Sequence, residues 1–164
     1  MITKGDDLSN SSTVVREVPY GRMRKDENDN FLGPLPSAFK AREGEADLSV
    51  TWCEYFENDG KAQLRCAIET LRSYRKIGPK GCFCPVNIGD LLAGIAKSGH
   101  KGRAVYLPVD NNPAHAGIYG VPPEDDLLLS RLADEVWCSY LTKADADALP
   151  LRGCTKSAEV DHEV

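Results

Sequence analysis

Long apolar runs are missing from this chain. The longest, such as Leu127–Leu129 and Ala104–Leu107, fall far short of the ~18 residues that a membrane-spanning helix needs. The N-terminus, MITKGDDLSNSS, has no apolar stretch of signal-peptide length. The expected setting is therefore soluble and cytoplasmic, with no membrane partner, and the six cysteines are expected as reduced thiols.

Clustered metal ligands are missing too. Cys82 and Cys84 form C-x-C, and on a strand both thiols point to one face. A structural zinc site needs a second such pair, yet Cys53, Cys66, Cys138 and Cys154 stand alone, and neither His100 nor His115 has a close second ligand. Cys66 and Cys138 read as small hydrophobes in or beside apolar helical faces. No metal and no cofactor is expected. The chain also lacks a G-x-S-x-G elbow, a P-loop and G-x-G-x-x-G. That excludes serine hydrolysis and nucleotide binding through those familiar loops.

What is present is a core-forming composition, 41% hydrophobic and 27% charged over 164 residues, which suits one domain. The charge is unevenly spread. Residues 1–60 carry a net −5, residues 61–103 a net +7 and residues 104–164 a net −7, within an overall −5. A cationic middle between anionic flanks fits an anionic partner. It fits better still an acidic C-terminal third folded against the basic middle.

Periodicity gives the elements. Leu48, Val50 and Trp52 alternate with Ser49 and Thr51, predicting a half-buried strand. Leu64, Ala67, Ile68, Leu71 and Tyr74 share a helical face that Gly78-Pro79 terminates. Residues 82–86 form a strand, Asn87 caps a helix with Leu91, Leu92 and Ile95 on its apolar face, and Gly99 closes it. Residues 103–109 and 115–121 read as an antiparallel pair across the DNNP turn. Pro122-Pro123 and three acidic residues open a last helix, whose apolar face of Leu128, Leu129, Leu132, Ala133, Val136, Trp137 and Tyr140 fits a core or a dimer seam. DENDN, at 26–30, is a surface loop by composition.

The expected fold class is α+β, a mixed sheet with about three covering helices, the alternative being a small α/β fold with parallel crossovers. The expected boundaries are a disordered tail over 1–17, one domain over 18–144 and a disordered acidic tail over 145–164. Deleting residues 146–164 is expected to leave the fold intact and to raise affinity for anionic ligands.

Two functional readings follow. In the first, the chain is a small binding or accessory module that holds a nucleotide, nucleic acid or acidic protein on a basic helix face. Lys61, Arg65, Arg72 and Lys76 form one stripe, partly neutralised by Glu69, and Lys101 and Arg103 add charge nearby. No aromatic platform or reading motif supports nucleic acid in particular. In the second, the chain is an enzyme for a nucleotide-like or phosphorylated substrate. Arg42 would clamp a phosphate, His115 would exchange a proton near neutral pH, Glu45 or Glu124 would orient a hydroxyl, and Ser49 would line the site.

Overall fold

The computed structural model describes residues 1–161. A five-stranded sheet in the order β5-β1-β4-β7-β6 is built from Thr13–Val18 (β1), Leu48–Trp52 (β4), Cys82–Asn87 (β5), Arg103–Tyr106 (β6) and His115–Tyr119 (β7). A separate hairpin pairs Met23–Lys25 (β2) with Phe31–Pro34 (β3), turning through the acidic loop, where Asp29 adopts a positive φ of 64°. The fold is α+β, as the alternation of polar and apolar residues predicts.

Neighbouring strands of the large sheet are all antiparallel. Because β1 opposes both β4 and β5, those two run parallel to each other with β1 between them. The helix joining them, Gly60–Tyr74 (α1), is thus a crossover around an inserted strand. This replaces the simple parallel crossover considered as the alternative fold. The second long helix, Ile88–Lys97 (α2), links the two edge strands β5 and β6 and begins where the Asn87 side chain accepts from the Asp90 amide at 3.0 Å. The third, Asp126–Arg131 (α3), continues through a π-helical turn, Leu132–Val136. Leu128, Leu129, Leu132, Ala133 and Trp137 from that stretch are buried in the core rather than held out for a partner. The Trp137 indole stacks on Phe39 and donates to the Cys84 carbonyl at 2.8 Å.

Both ends of the chain depart from the expected tails. β1 begins at Thr13, and residues 5–8 run along the free edge of β6, with Leu8 N–H donating to Ala104 O at 2.8 Å and Tyr106 N–H to Asp6 O at 2.9 Å. Leu141 pairs with Phe83 on the free edge of β5. The short helix Lys143–Asp147 (α4) then packs on α1. Residues 155–157 bond to the backbone of Tyr55 and Glu57, and Val160, 1% exposed, bridges to Ile2. Composition suggested disorder, but an unpaired sheet edge has a row of backbone donors and acceptors to satisfy, and these polar segments satisfy them. Residues 162–164 of the expected tail lie outside the described residues.

Cys66 on α1 is joined to Cys154 by a disulfide, which corrects the expectation of six reduced thiols. Cys53, Cys82 and Cys84 are free and buried, and Cys138 is free and exposed. Burial pushes the Cys82 thiol up to about 11 and raises Cys53 and Cys84 well above the ordinary range, so these three stay protonated and unreactive. Alkylation of the native protein at pH 8 should modify Cys138 alone, with two further sites appearing only when denaturation is followed by reduction. Cys154→Ser should lower the unfolding free energy by about 2–4 kcal/mol in urea titration, because it opens a loop of 88 residues. Cys138→Ser should change it by less than about 0.5 kcal/mol. Equal effects of the two substitutions would show that the C-terminal segment does not brace the fold.

Candidate functional site

The strand pleat sorts β1 into two sets. Val14, Arg16 and Val18 face one side of the sheet, and Val15 and Glu17 face the other. The β1–β4 register sets Val15 opposite Thr51, and the β4–β7 register sets Thr51 opposite His115 and Ser49 opposite Gly117. Glu17, Ser49, Thr51 and His115 therefore share one face. There they line a cleft of about 190 Å³ with Tyr74 and Arg75 from the end of α1.

Each polar group in this cleft is held in a definite way. The His115 Nδ1 lies 2.7 Å from the Leu107 carbonyl, which can only accept, so Nδ1 carries the proton and Nε2 of the neutral ring is left as a base. Asn112, fully buried, accepts from the Ala114 amide through Oδ1, which fixes the orientation of its side-chain amide. Its Nδ2 then donates to Thr51 Oγ1 at 2.9 Å and to the Tyr74 hydroxyl at 3.2 Å. The Tyr74 hydroxyl keeps its own proton to donate. Glu17, with its side chain 11% exposed, receives Arg75 Nη1 on Oε2 at 3.1 Å, and Arg42 Nη2 stands 3.8 Å from the same oxygen. Arg42 Nε is also 3.8 Å from Glu45 Oε1, so its guanidinium lies at ion-pair distance from two carboxylates without a hydrogen bond to either. Glu45 Oε2 is buried and has no hydrogen-bond partner among the described residues.

Gly117 leaves room for one more group. A Cβ there would lie 1.9 Å from Asp47 Oδ2, so the Asp47 carboxylate occupies the place of a side chain on β7. Behind the sheet, Arg16 is 3% exposed and donates from Nε to Ala38 O and from Nη1 to Ser49 O, both at 2.9 Å. Desolvation lowers its pKa to about 10, against the opposing pull of Glu45. It ties the 38–47 loop, which carries Arg42, Glu45 and Asp47, to the strand that carries Ser49.

Of the residues singled out from sequence, Ser49 and His115 line the cleft. Arg42 reaches it through Glu17, and Glu45 sits beside Arg42. The basic stripe fares differently. Arg65 Nη1 donates to the carbonyls of Ala146, Asp147 and Leu149 at 2.9–3.1 Å, closing the C-terminal end of α4. Arg72 bridges Glu69 and Asp147, each at 2.8 Å. Arg103 pairs with Asp7 at 2.7 Å, while Lys61, Lys76 and Lys101 are exposed and separate. Glu17, Arg75, Tyr74 and Asn112 were not singled out from sequence. Their one legible signal was the Arg16-Glu17 pair inside a β-branched stretch, TVVREV.

Among the described residues no cluster of three or more histidine, cysteine or acidic side chains could hold a metal ion, and no helix is long and apolar enough to cross a membrane. Compared with known proteins, the chain matches no family model, no curated protein and no solved structure.

The His115 ring assignment is directly checkable. Long-range 1H–15N correlation at pH 8 should show Nδ1 protonated and Nε2 bare, the reverse of the tautomer a free imidazole favours. A protonated Nε2 would remove the base from the cleft.

Proposed function

We propose that this chain is a small enzyme acting on a nucleotide-like or phosphorylated substrate in the cleft between the sheet and the end of α1. The observation that carries the reading is the anchored imidazole: Nδ1 is committed to Leu107 O, and Nε2 is left to take a proton in a cleft that Ser49 and Tyr74 also line. Arg75 supplies a cationic donor at the rim, and Arg42 adds a second guanidinium at 3.8 Å from its carboxylates, beyond hydrogen-bond reach of them. In this reading Arg75 and Arg42 hold the phosphate, Tyr74 donates to an oxygen of the substrate, and His115 removes a proton from the attacking hydroxyl or water. The cleft is smaller than the ~300–1,000 Å³ of drug-sized sites. It suits the phosphorylated end of a substrate, with the remainder outside.

The competing reading, a module that captures an anionic partner on the basic helix face, has less behind it. Arg65, its central cation, is spent on the carbonyls of the protein's own C-terminal segment, and Arg72 has Nη1, though not Nη2, paired there with Asp147.

Amide spectra during titration with ribose 5-phosphate and adenosine monophosphate test the proposal. Saturable shifts should centre on Ser49, Thr51, Tyr74 and His115, and Arg75→Gln should weaken them at least tenfold. Once a turned-over phosphate ester is found, His115→Gln should lower kcat by about 10²–10⁴ with KM little changed. Shifts confined to Lys61, Lys76 and Lys101 would favour the basic face and overturn the cleft reading.

A further inference from the structure

A second cleft of about 210 Å³ opens on the far side of Arg75, between α1, the 77–81 turn and α4. Arg72, Arg75 and Lys143 bring three cations to it, while Ile77, Pro79 and Phe83 supply its apolar surface. The carboxylates that balance these cations are not among its lining residues. Glu17 holds Arg75 at 3.1 Å, Glu69 and Asp147 each hold Arg72 Nη1 at 2.8 Å, and Asp147 reaches Lys143 at only 3.9 Å. Among the described residues, the buried Arg72 Nη2 has no hydrogen-bond partner, a donor short of an acceptor. The Arg72 guanidinium lies over the Phe83 ring at 5.4 Å. The turn is also tight: Gly81 N–H donates to Gly78 O at 3.0 Å, and a Cβ on Gly81 would meet Ile77 Cγ2 at 3.0 Å.

We infer that this cleft is a binding site for a small aromatic oxyanion, its ring against Ile77 and Pro79 and its phosphate or carboxylate against Lys143, Arg72 and Arg75. Charge selects the anion, because Arg72, Arg75 and Lys143 all line the cleft and Lys143 holds its carboxylate no closer than 3.9 Å. Volume and surface select the ring: the space is too small for a drug-sized ligand yet larger than a bare oxyanion requires. The site shares Arg75 with the His115 cleft but needs no proton transfer, and the His115 signal tells occupation of the two apart.

Lys143 is the residue to change. Its side chain is 62% exposed and, among the described residues, holds only the long pair with Asp147, so Lys143→Glu should leave the fold intact, as unaltered amide signals over α2 would verify. Phenyl phosphate, benzoate and inorganic phosphate are titrated separately into the full chain. Phenyl phosphate and benzoate should give saturable shifts at Gly78, Gly81, Phe83 and Lys143, with His115 unmoved, and Lys143→Glu should weaken both at least tenfold. Inorganic phosphate should bind at least tenfold more weakly than phenyl phosphate, because it has no ring. The ratio of the first two ligands distinguishes a phosphate from a carboxylate preference. No saturable shift with either aromatic ligand, equal binding of inorganic phosphate, or affinity unchanged in Lys143→Glu would each overturn the inference.

Discussion

A positive charge buried in the middle of a sheet is costly unless its surroundings satisfy it. In this protein that charge is Arg16, on the strand that β4 and β5 flank. Its two hydrogen bonds go to backbone carbonyls, Ala38 and Ser49, that belong to different segments. One guanidinium therefore sets where the 38–47 loop meets the sheet. Arg42, Glu45 and Asp47 all depend on that placement, and so does the rim of the His115 cleft. Removing the side chain would strand two carbonyls at about 1–3 kcal/mol each, which is a large part of the stability of a domain this size.

The second constraint is the closure of the sheet edges. A five-stranded antiparallel sheet has two rows of unpaired backbone groups, and here residues 5–8 cover one while Leu141 begins the cover of the other. The acidic C-terminal segment then continues onto α1, where Arg65 and Arg72 receive it. The basic middle and the acidic end, opposite in charge along the sequence, meet in the fold. The Cys66–Cys154 disulfide holds them together.

Much of this was legible in the chain. Leu48 to Trp52 alternate cleanly, Asn87 caps its helix, and the strands on either side of the DNNP turn pair as their spacing implies. Local periodicity was enough for these elements. β1 was not legible, because Arg16 and Glu17 interrupt its β-branched run and a central strand is expected to be apolar. The terminal segments failed for the opposite reason: short, polar and aperiodic, they bond through their backbones, which composition does not record. The site divides along the same line. Ser49 and His115 stand out as polar residues on predicted strands. Glu17, Arg75 and Tyr74 join them only through the pairing of β1 with β4 and the length of α1, both non-local facts.

Amide hydrogen exchange of an Arg16→Met variant tests the central dependence most directly, since methionine keeps the apolar volume and removes both donors. Protection over residues 38–49 should fall at least tenfold, with α2 and β6 little changed. Unaltered protection across that loop would show that Arg16 does not hold the site in place.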